Sequence, residues 1–580
     1  MKPTEQTFTS WDGTSLFYRA WLPARPATRA LILFHRGHEH SGRWKETVDS
    51  LALEDTAIFA WDARGHGHSP GERGSAENLI ALIKDADAFA RHLVATHGIR
   101  LEDTVVMAHS VGAVIAAAWV HDFAPPLRGL ILAVPAFRVK LYVPFAVPLL
   151  RLKQKLFGPG YVKSYVKARM LTHDAEQAAA YAADPMIFRQ IAVNILLDLH
   201  DTSTRLIADA GAITVPTLML TAGADWVVKQ SAQRTFFERL SSPVKEMETF
   251  PGMHHAVFHE KDRARLVARA RRFIDERFAQ PAGAVSLIDA DERGYTKDEY
   301  DRLQRPGSPL FALTRASMKT VGRMSAGIAL GWRSGFDSGT TLDYIYENRA
   351  RGTTSLGRMM DRSYLDAIGW RGIRIRRQNL ERLLRSTIEQ THAAGRAVHI
   401  LDIATGAGRY VLETLHAVRH IPTTALLRDY KQENLDAARR TAEQLGVAGV
   451  TCVHADAFDP ANYQDLSPRP TIGIVSGLHE LIPDNTRVLR SLEGFARAIA
   501  PGGFLIYTGQ PWHPQVEFIA RVLRNREGQP WIMRRRTQAE MDELVRSVGF
   551  EKITMDLDPW GIFTVSVAVR TAVATGVPHS

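Results

Sequence analysis

Three residues set in order along the first half of the chain have the types needed to turn a serine into a nucleophile. Ser110 stands in "MAHSVGAV", Asp225 in "LTAGADWVV" and His255 in "FPGMHHAVFHE". A serine hydroxyl is a poor nucleophile until a histidine can take its proton and a carboxylate holds that histidine in one tautomer. Each of the three directly follows a predicted strand, which is where a parallel sheet presents its loops. His254 neighbours His255 and has the same chemistry.

The serine sits between a predicted strand, "TVVMAH", and a predicted helix, "VGAVIAAAWVHDF". That strand-turn-helix context is the one a G-x-S-x-G elbow requires. Here the first glycine is replaced by Ala108, which adds one methyl where the turn brings backbone close to its neighbours. Gly112, which lets the helix approach, is retained. An acyl-transfer site also needs two backbone N–H groups aimed at the developing oxyanion. The amide of Val111, immediately after the serine, supplies one. The loop "FHRGHEHSGRW" after the first core strand is the expected source of the other.

The second half offers a different chemistry. "VHILDIATGAGRY" supplies Asp402, Gly406 and Gly408, with Ala404 in place of a first glycine, and "TTALLRDYKQENL" supplies Asp429 at the end of the next strand. A glycine-rich turn admits close approach of a ligand, and an acid at the following strand end can accept both hydroxyls of a ribose. This pair alone also suits a nicotinamide-binding fold. A third strand, "VTCVHADAFD", ends at Asp456. A fourth, "TIGIVSGLHEL", leads to His479 and Glu480, and a fifth, "APGGFLIYTGQ", follows a Pro-Gly-Gly turn. His479 and Glu480 lie where such folds meet an acceptor, or else cap and pack a helix. Arg534, Arg535 and Arg536 read as a solvated basic face.

The elements that must hold these residues alternate. From residue 30 to about 278, short apolar runs separate longer helical patterns, the signature of an α/β domain with a mostly parallel sheet. Between about 137 and 207 the alternation gives way to a basic, apolar, helix-rich insertion read as a cap. The stretch from 281 to 339 reads as a linker followed by a helix, because "AQPAGAVSLIDADERGYTKDEYDRLQRPGSP" is rich in Pro, Gly and charge without a sustained period. Residues 310–332 then show helical spacing with only basic charges. They read either as a helix packed on the second domain or as a membrane-surface contact. A second α/β alternation occupies 340–580.

In the first domain, "HRGHEHSGRW", "DARGHGHS", "AHSVG", "TAGADWVV" and "PGMHHAVFHE" together resemble the monoacylglycerol lipase and lysophospholipase group of α/β hydrolases over residues 1–280. The resemblance implies an α/β-hydrolase fold with a helical cap and Ser110 as nucleophile. It makes Asp225 the acid and His255 the base, by the spacing from Gly252, with oxyanion donors at Val111 and near Gly37. It departs from that group at Arg36, where glycine is usual. The second domain resembles class I S-adenosylmethionine-dependent methyltransferases, a Rossmann-like fold. That likeness implies S-adenosylmethionine as cofactor, with Ala404, Gly406 and Gly408 in the turn along its methionine part. It places Asp429 on the ribose and Asp456 at the adenine amino group, while Asp402 acts through the cofactor's amino group or a water. A fusion in this order resembles a bacterial bifunctional family.

The 580 residues exceed what one core supports, so two domains are expected. A formal charge of +10 favours acidic partners, an anionic membrane surface among them. RNA ranks last as a partner, because neither a stacking-platform motif nor an Asn-Pro-Pro-Tyr signature is found. The single cysteine, Cys452, reads as a buried strand residue and excludes disulfides and multi-cysteine metal sites, and no metal is expected. No secretory signal and no bilayer-length apolar run is seen. A cytoplasmic protein, peripheral at the membrane or fully soluble, is therefore expected. The expected function is serine ester hydrolysis of a monoacyl lipid or lysophospholipid joined to methyl transfer from S-adenosylmethionine. The alternative is one active enzyme domain with the other serving as a lipid- or partner-binding module.

Overall fold

A computed structural model describes residues 2–281 and 285–571. The chain divides into two compact units, Met1–Val285 and Ser286–Ser580.

The first unit is built on strands β1 (Thr4–Thr9), β2 (Ser15–Trp21), β3 (Arg29–Phe34), β4 (Thr56–Trp61), β5 (Thr104–His109) and β6 (Gly129–Ala133), then β7 (Tyr161–Lys163), β8 (Gln190–Ala192), β9 (Thr217–Ala222) and β10 (Lys245–Phe250). Eight of them form one sheet in the order β1-β2-β4-β3-β5-β6-β9-β10. The β1–β2 and β2–β4 pairs are antiparallel and the others parallel. The central strands are apolar throughout because helices cover both faces. Leu31 and Leu33 join Phe273 and Ile274 of helix Arg263–Ala279 in one core. On the other face Phe34 stacks with Trp119, and Trp61 with Phe89.

Between β6 and β9 the chain leaves the sheet to build the cap: helices Ala146–Phe157, Ala175–Ala183 and Val193–Ala208, with β7 and β8 paired antiparallel. A buried ionic cluster ties the cap to the core. His121 bridges Asp122 and Asp209 at 2.7 Å each, and Arg205 Nη2 donates to Asp122 Oδ2 at 2.8 Å. Mutual pairing is what makes burial of these charges affordable.

The second unit carries β11 (Val398–Ile403), β12 (Thr423–Asp429), β13 (Val450–His454), β14 (Ile472–Val475), β15 (Phe504–Gly509), β16 (Phe550–Leu557) and β17 (Thr564–Arg570) in the order β13-β12-β11-β14-β15-β17-β16. The chain moves outward from β11 in both directions, so a crevice opens at the carboxyl ends of β11 and β14, where such sheets bind ligands. β17 runs antiparallel between β15 and β16. Helix Ile368–Ala393 packs Leu380, Leu384 and Ile388 on one face of the sheet; helices Asn485–Ala498 and Gln538–Ser547 pack on the other. Both halves are therefore α/β, the first with the α/β-hydrolase fold and the second with the Rossmann-like methyltransferase fold.

Three details differ from the sequence reading. Residues 286–304 are no free linker: they belong to the second unit, where the Asn485 amide donates to Asp291 Oδ2 and its Nδ2 to the Ile288 carbonyl, and helix Tyr295–Gln304 packs Leu303 inside. Turn residues broke the helical period there without removing the helix. The 310–332 stretch is two helices, Pro309–Lys319 and Ala326–Ser334, parted by a 3-10 turn at Val321–Met324. Arg315 donates to the Arg521 carbonyl, while Leu310 and Leu313 stay exposed. Finally, Arg534, Arg535 and Arg536 are buried rather than solvated. Arg534 meets Glu540 at 2.5 Å, Arg535 meets Glu299 at 2.6 Å, and Arg536 bonds Asn485 and the His479 carbonyl. A charge run looks solvent-facing in a sequence because most of its partners, Glu299, His479 and Asn485, are distant in the chain. Cys452 lies on β13 and is half-buried. Among the described residues, no helix is long and apolar enough to cross a membrane.

Candidate functional site

Each unit presents one cavity at the carboxyl ends of its strands. In the first, β5 ends at His109 and helix Val111–Phe123 begins one residue after Ser110, which is forced to φ +56° and ψ −113°. Such a strained turn lifts the side chain off the sheet. Ser110 Oγ lies 2.7 Å from His255 Nε2, and His255 Nδ1 lies 2.8 Å from Asp225 Oδ2. The remaining carboxylate oxygen, Oδ1, accepts from the amides of Val227 at 2.7 Å and Val228 at 2.9 Å. Burial alone would raise the Asp225 carboxyl; His255 and the two amides outweigh it and hold the group below the ordinary carboxylate value.

The local packing explains which elbow glycine is dispensable. A Cβ on Gly112 would meet the His35 carbonyl oxygen at 2.3 Å, an overlap with rigid backbone. Ala108, by contrast, lies in regular register opposite Phe34 and Leu132 with its methyl fully buried. Gly37 sits against Val111, close enough that a Cβ would come 3.1 Å from Val111 Cγ2. Val111 opens its helix, where backbone N–H groups have no intrahelical acceptor. Gly37, Ser110, Val111 and His255 all face one cavity of about 420 Å³. Its remaining wall is mainly apolar and includes Leu82, Ile115, Leu149, Ile195 and Leu199.

Arg36 turns its guanidinium to Glu39, at 2.8 Å, and stacks it on the Tyr181 ring of the cap. The bulk of Arg36 thus joins the loop after β3 to the cap. Two supporting residues were not singled out from the sequence. His109 donates its Nε2–H to the His255 carbonyl at 2.9 Å, and Lys140 Nζ donates to the Asp225 carbonyl at 2.5 Å. Burial first, then the nearby His255, keeps His109 far below the usual imidazole range and so neutral. His109 was legible only as the residue beside Ser110; Lys140 carried no signal, since its partner is 85 positions away.

In the second unit the turn Asp402–Gly408 leads from β11 into helix Arg409–Ala417. Ala404 adopts φ +53°, Gly406 φ +58° and Gly408 φ +64°. A Cβ on Gly406 would meet nothing within 4 Å, so the turn opens on free space rather than on protein. Asp429 ends β12 and receives three bonds: the Gly406 amide at 2.9 Å, the Lys431 amide at 2.8 Å and Asn434 Nδ2 at 3.0 Å. Ala404, Gly406, Gly408 and Asp429 line a cavity of about 230 Å³, whose far wall includes Trp370, Arg376, Glu480, Gln510 and Trp531.

The other expected residues fall elsewhere. Asp402 lies behind the turn, fully buried, accepting from Thr405 Oγ1 at 2.6 Å and from the Tyr410 phenol at 2.8 Å. Burial raises its carboxyl to about 7, with Asp429 adding to the rise and the two hydroxyls opposing it. Asp456 is exposed and outside the cavity wall, its carboxylate accepting from the Phe458 amide in a tight turn. His479 also points away from this cavity. It bonds Ser491 at 3.2 Å, and burial, with Arg536 nearby, lowers it to about 3. Glu480 does face the cavity: Thr508 donates to its Oε1 at 2.7 Å, Arg376 stands 3.6 Å away, and its Oε2 is buried without a hydrogen-bond partner. Arg376 was missed because its long helix carries several other arginines and nothing local singles it out.

Comparison with known proteins agrees with this division. A family described as "Putative methyltransferase" matches residues 270–570, and one described as "Serine aminopeptidase, S33" matches residues 25–262. The uncharacterized protein YnbC of Escherichia coli K12 is 48% identical over 577 residues, covering 98% of each chain. A monoacylglycerol lipase of Mycolicibacterium smegmatis is 27% identical over 266 residues, 45% of this chain and 92% of that one. The crystal structure of a monoacylglycerol lipase from Paleococcus ferrophilus aligns with 48% of this chain and all of its own, at 21% identity and a TM-score of 0.41. The chain belongs to the methyltransferase family whose match spans residues 270–570, and its first half is an α/β hydrolase domain of the monoacylglycerol lipase type.

Proposed function

We propose that the protein is a bifunctional enzyme: a serine ester hydrolase for a monoacyl lipid or lysophospholipid, joined to a methyltransferase that uses S-adenosylmethionine. The observation that carries the first half is the unbroken chain Asp225–His255–Ser110 opening on an apolar cavity of about 420 Å³. Ser110 Oγ attacks the ester carbonyl carbon while His255 Nε2 takes its proton, and the amides of Val111 and Gly37 receive the oxyanion. The alcohol departs with the proton returned by His255. Water, deprotonated by the same nitrogen, then frees the fatty acid from Ser110. Asp225 holds the imidazole Nδ1–H towards itself and stabilises the imidazolium. The apolar wall from Leu82 to Leu199 supports a single acyl chain as the occupant.

The cap supports a membrane as the source of that lipid. Helix Ala146–Phe157 buries none of its residues and exposes Leu149, Leu152, Leu156 and Phe157 beside Arg151, Lys153 and Lys155. An apolar face rimmed by cations suits the boundary of an anionic bilayer. Pelleting with anionic vesicles tests this, and indifference to both lipid and salt would sink it.

For the second unit, the residues present fit S-adenosylmethionine. The turn around Gly406 leaves open space, and Asp429 at the adjacent strand end lines the same cavity. Ala404, Gly406 and Gly408 would pass along the methionine part and Asp429 would accept the ribose hydroxyls, while Asp402 would hold the turn from behind. When bound, this cofactor supplies an electrophilic methyl group. Glu480, with one buried oxygen unpaired, would accept a hydrogen bond from the acceptor and receive its proton. Asp456 is kept as the adenine contact only if its exposed turn folds over the cavity on binding.

Two experiments separate the halves. Intact-mass analysis after an alkyl fluorophosphonate should show one label per chain, absent in Ser110→Ala. Calorimetry with S-adenosylhomocysteine should show one site, lost in Asp429→Ala. Absence of labelling in folded protein would end the hydrolase reading, and absence of binding would end the cofactor reading, each leaving the silent unit as a binding module.

A further inference from the structure

His173, His254 and Glu260 converge at the base of the cap, with one ligand atom of each within 4.8 Å of the others. His173 precedes helix Ala175–Ala183 in the cap, whereas His254 and Glu260 flank His255 on the loop after β10. The two imidazoles overlap, their ring centroids 3.8 Å apart and their planes at 34°. His173 Nδ1 stands 3.1 Å from Glu260 Oε1. Two nitrogen or oxygen ligands at about 2.0–2.1 Å from a tetrahedral cation are themselves roughly 3.3 Å apart. A gap that now reads as a hydrogen bond is therefore also the edge of a coordination tetrahedron.

The chemistry of the three groups agrees. Although burial would raise it, the Glu260 carboxyl is held below its ordinary value by the amides of His254 and His173 and by the His173 ring, so it carries a charge. The His254 Nε2 accepts from the Trp226 indole at 3.3 Å, and Trp226 is half exposed and can yield that position; Nδ1 is shielded from solvent without a hydrogen bond. The segments that carry the ligands are already joined: the Ala256 amide donates to the Leu171 carbonyl at 2.8 Å, and Thr172 Oγ1 to the His259 carbonyl at 2.7 Å. Little ordering remains to be paid on binding.

We propose that His173, His254 and Glu260 bind a divalent transition-metal cation of the zinc type, with water completing a four-coordinate shell, and that this cation ties the cap to the loop carrying His255. Two imidazoles and a carboxylate are a donor set for zinc or cobalt and a poor one for magnesium, which demands oxygen and octahedral geometry. The sequence carries no metal motif because the ligands come from segments about eighty positions apart, brought together only when the cap closes on the core.

The full chain, stripped of metal with a chelator, is titrated with zinc chloride by calorimetry and with cobalt(II) chloride by visible absorption. The expected result is one cation per chain, a cobalt spectrum of tetrahedral type, and a rise in Tm of the wild type. His173→Ala and His254→Ala, whose folding is checked by circular dichroism, should each weaken zinc at least about tenfold and abolish the rise. His173 is exposed on the cap, so its variant should fold. Equal affinity in all three proteins, an octahedral cobalt spectrum in the wild type, or the same Tm rise with magnesium would overturn the proposal and reduce the cluster to a set of hydrogen bonds.

Discussion

The side chain of His109 donates to the backbone carbonyl of His255 across 2.9 Å, so the residue just before Ser110 holds the loop that carries His255. The Asp225 carbonyl is held in the same way, by Lys140 at 2.5 Å. Asp225 and His255 are thus held through main-chain atoms as well as through the Asp225–His255–Ser110 hydrogen bonds.

Removing a member of that relay should cost the reaction far more than the fold. Ser110→Ala and His255→Ala are expected to lower ester hydrolysis by roughly 10³-fold or more, mostly in kcat. Turnover of a monoacylglycerol and of a p-nitrophenyl ester checks this.

The supporting bond should show a smaller effect of a different kind. His109→Phe keeps the ring volume but leaves a buried carbonyl unpaired, a loss of about 1–3 kcal/mol. Fluorophosphonate labelling should slow by about tenfold, and the first unit's Tm should fall. An unchanged labelling rate would mean that the loop is held by its other contacts.

The elbow glycines predict opposite outcomes. Gly112→Ala drives a methyl to 2.3 Å from the His35 carbonyl and should abolish activity by displacing the helix from the oxyanion loop. Ala108→Gly removes a methyl that already fits and should leave kcat/KM within about threefold. A competition assay on the same ester compares them.

Asp402 makes stability of the second unit depend on pH. Its folded carboxyl is raised to about 7, so the folded form holds the proton more tightly than the unfolded chain. The stabilisation is complete below the unfolded value near 4 and is lost as pH rises through 7, at no more than about 1.4 kcal/mol per pH unit. Asp402→Asn should flatten that slope between pH 5 and 8. Urea unfolding of the second unit's transition at both pH values tests the sign.

Much of this was readable in the sequence. Ser110, Asp225 and His255 were identifiable as candidates because each directly follows an apolar strand, where a parallel sheet presents its loops. Gly406 and Asp429 were identifiable for the same reason. Asp402 was visible as an acid beside the glycine turn, but whether it faces ligand or core depends on where Tyr410 places its phenol, eight residues on. His479 and Glu480 are neighbours in one short turn. They part company because the turn aims one at Ser491 and the other at the cavity.

The sequence by itself determined the two α/β domains and pointed to Ser110, Asp225, His255 and the glycine-rich turn as candidates, since these depend on local periodicity and on residues that directly follow strands. Only the tertiary structure decided that Arg534, Arg535 and Arg536 are core residues, that Arg36 belongs to the cap contact, and that His173 meets His254 and Glu260. The deciding contacts, such as Arg535 with Glu299, Arg36 with Tyr181 and His173 with Glu260, join residues tens to hundreds of positions apart. Burial of a charge is settled by what folding brings against it, and no local pattern encodes that.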